Sequence, residues 1–107
     1  MKAEHNGQLE YYKIDVSTKI LNELKALKQV ALNKGKEWEF SESFRRIVWR
    51  LRTNPSGFGE IVKHHPTLQL RVHVGSEFPL TVRFAFDETK LLVYIMAMFL
   101  ASILDQP

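Results

Sequence analysis

Thr67-Leu68-Gln69-Leu70-Arg71-Val72-His73-Val74 and, after the loop Gly75 to Pro79, Leu80-Thr81-Val82-Arg83-Phe84-Ala85-Phe86 are the stretches on which the fold turns. Both alternate with a period of two, the repeat of a strand that buries one face only. Leu68, Leu70, Val72 and Val74 are expected on one side, with Gln69, Arg71 and His73 on the other. In the second stretch Leu80, Val82, Phe84 and Phe86 oppose Thr81, Arg83 and Ala85. The intervening loop has hairpin length, and Asp87 to Lys90 makes a second turn, so consecutive antiparallel strands are the economical arrangement. Leu91 to Leu100 completes the meander and is apolar on both faces. Such a strand lies in the middle of a sheet or is covered by another chain.

Upstream of the meander, Leu9 to Val16 reads as a first strand, with Tyr12, Ile14 and Val16 alternating with Lys13 and Asp15. Ser17 or Thr18 then caps a helix whose apolar residues Ile20, Leu24, Leu27 and Ala31 keep the spacing of one helical face. Gly35 stops it. A second helix, capped by Ser41, carries Phe40, Phe44, Ile47, Val48 and Leu51 on its apolar face and ends at Asn54-Pro55, because the residue before proline is pushed out of the α region. Two helices so closely joined form an antiparallel hairpin. The expected fold is α+β in the order β-α-α-β-β-β, the hairpin covering the face made by Leu68, Leu70, Val82 and Phe84 and leaving a polar, basic face opposite.

A chain of 107 residues reads as a single domain over 1–107 that is held by its apolar core, since it has no cysteines and hence no disulfide. Residues 1–10 are polar, with no apolar leader, and are expected to be disordered; 101–107 read as a tail. No apolar run reaches the roughly 18 residues of a membrane span. A reducing cytoplasm and no membrane partner are therefore expected. The net charge of +3 favours an acidic partner, either nucleic acid or protein. Four of the six arginines, Arg45, Arg46, Arg50 and Arg52, fall within eight residues of the second helix. They read as a solvated face or as a contact with nucleic acid or an acidic partner. His64 and His65 stand side by side before Pro66, where their side chains diverge, and no neighbouring carboxylate completes a ligand set, so no metal site is expected. No phosphate loop, nucleophile elbow or cofactor motif occurs, and no cofactor is expected.

A strand, a helical hairpin, Asn54-Pro55 with Gly57 and Gly59-Glu60, and then a meander containing Val82 to Asp87 with Glu88 resembles the RelE/ParE superfamily of toxins over about Tyr12 to Phe99. The resemblance implies a toxin of a type II toxin–antitoxin module, partnered by an antitoxin. Its action would be messenger RNA cleavage on the ribosome in one branch, or binding of DNA gyrase in the other. Where the ribonuclease branch places basic residues and a tyrosine, this chain reads Met96-Ala97-Met98-Phe99-Leu100-Ala101. Both branches, and a non-catalytic interaction module on the same scaffold, stay open.

RNA cleavage through the 2′-hydroxyl needs cations near the phosphate and a proton carrier. Arg71, His73 and Arg83, expected on one polar sheet face, read as that set, with His73 as the carrier, or as an ordinary solvated face that is polar for solubility. Tyr94 reads as sharing that face or as a core aromatic. The alternation of the last strand groups Tyr94, Met96, Met98 and Leu100, and a sheet covered on one side leaves either this set or its complement bare. An antitoxin segment, a homodimer partner or the folded-back tail would cover it.

Overall fold

Ser17 marks the start of the first helix, its hydroxyl accepting a hydrogen bond from the Ile20 amide at 3.2 Å. The computed structural model describes residues 10–101. The expectations for 1–9 and for 102–107 lie outside them. Within them the order is β1 (Lys13–Asp15), α1 (Thr18–Asn33), α2 (Glu37–Thr53), a 3-10 turn at Pro55–Gly57, β2 (Glu60–His65), β3 (Leu70–Glu77), β4 (Leu80–Asp87) and β5 (Leu92–Leu100). Gly35, at φ +71°, closes the first helix in the left-handed conformation expected of it. Asn54 leaves the helical region and Pro55 ends α2. Ser41 is not a cap, however. The helix begins at Glu37 without a side-chain cap, so Ser41 lies inside it.

The strands form one mixed sheet in the order β1-β5-β4-β3-β2. β1 runs parallel to β5 and every other pair is antiparallel. β5 is flanked on both sides in the sheet, and its helix-facing Val93 and Met98 are buried while Phe99 on the other face stays 43% exposed. One strand more than expected is present, β2, at the edge beside β3. Its alternation is broken by the adjacent Ile61 and Val62, where the register shifts.

Both helices lie on one face. Ile20, Ala31, Phe40, Ile47 and Leu51 from the helices meet Leu80, Val82, Phe84, Val93 and Met98 from the sheet, with Phe58 closing one end. Ser43, fully buried on α2, accepts from the Leu80 amide at 3.2 Å and donates to the Glu77 carbonyl, so one hydroxyl joins α2 to the β3–β4 turn. Leu24 and Phe44 pack on this core from its margin, whereas Leu70, expected in it, does not.

The register gives the reason. Directly paired residues share a face, and β3 pairs His73 with Phe84 and Gly75 with Val82. Arg71, His73, Gly75 and Glu77 therefore take the helix side, while Leu70, Val72 and Val74 take the other. Alternation groups residues by face but does not say which face the helices occupy. Gly75 makes room there: a Cβ would stand 2.8 Å from the Phe58 ring. A second register shift, between Arg83/Phe84 on β4, leaves Met96 without a partner on β5. Val93 and Ile95 then share the helix side with Met98 and Leu100, opposite Tyr94, Ala97 and Phe99. The set Tyr94, Met96, Met98 and Leu100 is thus not a surface. Met98 is buried in the core, Leu100 packs against it, and Tyr94 faces the other way. Among the described residues no helix is long and apolar enough to cross a membrane.

Candidate functional site

The helices pack over β1, β5, β4 and the Glu77 end of β3, and the same face is open at the Arg71 end of β3, beside β2. A cleft of about 490 Å³ opens there, lined by His64, Arg71, His73, Phe86, Asp87 and Glu88 among others. β2 sets one wall, since its pairing with β3 places His64 directly opposite Arg71 and Ile61 opposite His73. The turn after β4 sets the other wall. Asp87 Oδ1 accepts from the amides of Thr89 at 2.9 Å and Lys90 at 3.1 Å, which holds this acidic turn in place.

His73 lies in the floor at 7% exposure. Its ring stacks on Phe84 at 5.3 Å and lies 5.1 Å from Phe86, between centroids. Nδ1 is buried with no hydrogen-bond partner among the described residues, a placement that costs free energy. Burial, and next the Arg71 guanidinium, lower the His73 pKa from its usual range. At neutral pH the imidazole is therefore uncharged and able to take a proton. Tyr12, edge-on to Phe86 at 6.0 Å, has its phenol pKa raised by burial and then by Glu88 and Asp87. The cleft thus combines a cation, two imidazoles and a pair of carboxylates around an aromatic floor.

Arg71 and His73 are brought together as the sequence reading expected. Arg83 is not. It pairs with Val74 and Ala97 on the opposite face, and its guanidinium lies 5.5 Å over the Phe99 ring. The assumption that matched positions of neighbouring strands point alike fails because the hairpin register pairs His73 with Phe84, one residue beyond Arg83. His64, Asp87 and Glu88 escaped the sequence reading of the site. His64 became legible only once β2 was a strand, while Asp87 and Glu88 were visible only as an acidic turn. His65 has a structural role, its Nδ1 accepting from the amides of Thr67 and Leu68 at 3.2 and 3.0 Å to close the β2–β3 turn.

The four arginines of α2 stand apart from the cleft. Arg45 pairs with Glu42 at 2.6 Å, and Arg46 and Arg50 share Glu77 at 3.3 and 2.9 Å. Arg50 also lies 4.7 Å over the Phe58 ring and Arg52 5.2 Å over Tyr11. Compared with family models, with curated proteins and with solved structures, the chain gives no significant match.

Proposed function

We propose that this chain is a RelE/ParE-like toxin of a type II toxin–antitoxin module and that it acts by cleaving RNA in the Arg71–His73 cleft. The observation that carries the reading is His73: a buried, neutral imidazole, one nitrogen unpartnered, beside a guanidinium on the floor of an open cleft. Groups held at such a cost are commoner at functional sites than in ordinary cores. Two helices packed on one sheet are compatible with the resemblance drawn from the sequence, the sheet carrying one strand more than the β-α-α-β-β-β order.

In the reaction, His73 takes the proton of a ribose 2′-hydroxyl. The 2′-oxygen bonds to phosphorus as the P–O5′ bond breaks, and the imidazolium form of His64, opposite Arg71, gives its own proton to the leaving 5′-oxygen. Arg71 stabilises the charge that grows on the phosphoryl oxygens. Asp87 and Glu88 are acceptors suited to sugar hydroxyls or base amino groups. The products are a 2′,3′-cyclic phosphate and a 5′-hydroxyl.

Arg71 and Arg83 separate this reading from its rivals, because one lies in the cleft and the other on the far face. On induced expression, the wild-type chain and Arg83→Ala should arrest growth, and Arg71→Ala should not. Arrest by all three would move the function to binding of a target such as gyrase. Arrest by none of them would favour the non-catalytic interaction module.

A further inference from the structure

The outward stripe of α2 carries the two tryptophans of the chain among arginines. Trp38, Arg45, Trp49 and Arg52 recur at i, i+7, i+11 and i+14, on the side of the helix away from Phe40, Ile47 and Leu51. Trp38 is 71% and Trp49 56% exposed, unusual for the largest apolar side chain. The core does not need them there. Tyr11, also exposed, lies 5.9 Å from Trp49. Beside Trp49 a hollow of about 440 Å³ is walled by Arg45, Arg46, Arg50 and Glu77. Counting Glu42 and Glu77 against the four arginines, the surface stays cationic.

Shared lining residues link this hollow to the cleft through a third. A third hollow, lined by Phe58, Gly59, Glu60 and Val62 among others, shares Arg50 with the first and Ile61 with the cleft. Shared walls thus order the three hollows from Trp49 on α2, past Phe58, to His73. From this continuity we infer that Trp49 is a stacking platform for single-stranded RNA, with Arg45, Arg46 and Arg50 on its phosphates, and that the strand leads along this track into the cleft. The inference rests on the proposed RNA cleavage and names its substrate as unpaired RNA. Exposed aromatics interleaved with arginines suit such a strand because every base offers a π-face and every nucleotide a phosphate. An acidic peptide would satisfy the arginines but leave the indole faces unused.

Since both tryptophans lie on this stripe, intrinsic fluorescence reports directly on it. The full chain is titrated with a single-stranded oligouridylate of about 12 nucleotides at low salt, within the range of single-stranded site sizes. Saturable quenching is expected, weaker as salt rises. Trp49→Ala, checked as folded by circular dichroism, should lose about tenfold or more in affinity, and Trp49→Phe should keep most of it. Arg71→Ala and His73→Phe should cleave nothing yet keep the Trp49-dependent quenching, Arg71→Ala binding more weakly for the phosphate contact it loses. Unchanged affinity in Trp49→Ala would overturn the platform even if cleavage persists. Binding that depends on Trp49 with no cleavage by the wild type would leave the platform standing and remove the cleavage reading. Equal quenching by polyglutamate, or by vesicles of anionic lipid, would overturn the inference in favour of an acidic protein or a membrane surface.

Discussion

Replacing His73 with phenylalanine should make the protein more stable and inactive together. Nδ1 is buried without a partner, and an unsatisfied polar group of this kind costs about 1–3 kcal/mol. Phenylalanine removes that group and keeps a ring against Phe84 and Phe86, now 5.3 and 5.1 Å away between centroids, so the aromatic packing survives. The slightly larger ring returns part of the gain as crowding. A net gain of about 1 kcal/mol is expected. For 107 residues the unfolding entropy is roughly 0.2 kcal/mol per kelvin, so the midpoint of thermal unfolding should rise by about 4–5 °C. Urea unfolding at pH 7.5, followed by circular dichroism with an unchanged slope, supplies the free energy. A loss of about 1 kcal/mol or more in His73→Phe would refute the reasoning, since it would mean that the imidazole makes a hydrogen bond the described residues do not supply. His73→Ala, which leaves a cavity beside two aromatic rings, should be the less stable variant under either outcome and serves as the control.

Three further outcomes follow from the same geometry. The His73 pKa is lowered in the folded chain, so the unfolded chain binds the proton first: the stability it contributes is present above about pH 6.5 and is lost as pH falls from there through the folded value. The drop in urea midpoint between pH 7.5 and 5.5 should accordingly be smaller in His73→Phe than in the wild type, and equal drops would contradict the lowered pKa. Ser43→Ala should cost about 1–3 kcal/mol, because it strands the buried Leu80 amide and the Glu77 carbonyl; a loss under about 0.5 kcal/mol in urea unfolding would mean that water replaces the hydroxyl. Ile47→Ala, at a fully buried position on α2, should cost about 2–5 kcal/mol, and a surface-sized loss would contradict the packing of α2 on the sheet.

The features legible in the sequence were those decided by one residue's own chemistry. Ser17 supplies a hydroxyl to a free amide, Gly35 takes a positive φ, and Pro55 denies its predecessor the helical region. Alternation likewise located β3, β4 and β5 to within a few residues. It was silent on what relates one strand to another. The choice of helix side put His73 and Gly75, not Val72 and Val74, on the helix face, with Gly75 against Phe58, and the unpaired Met96 exchanged the two faces of β5 halfway along. Arg83 and Met98 were misassigned for these two reasons. β2 was missed because Ile61 and Val62 are adjacent at a bulge, where the period of two is lost. With it went His64, whose place opposite Arg71 is a matter of pairing alone. On α2 the arginines stood out by composition, while the exposure of Trp38 and Trp49 could not be read from a helix with apolar residues around much of its circumference.

If the Arg71–His73 cleft cleaves RNA, the chemistry is written in the ends of the RNA it leaves. Purified chain is incubated with messenger RNA on translating ribosomes, and the new termini are mapped and chemically typed. The account predicts fragments ending in 2′,3′-cyclic phosphate and beginning with 5′-hydroxyl from the wild type and from Arg83→Ala, and none from Arg71→Ala or from the folded His73→Phe. Identical fragments from His73→Phe, or uncut messenger RNA with the wild-type chain, would contradict it.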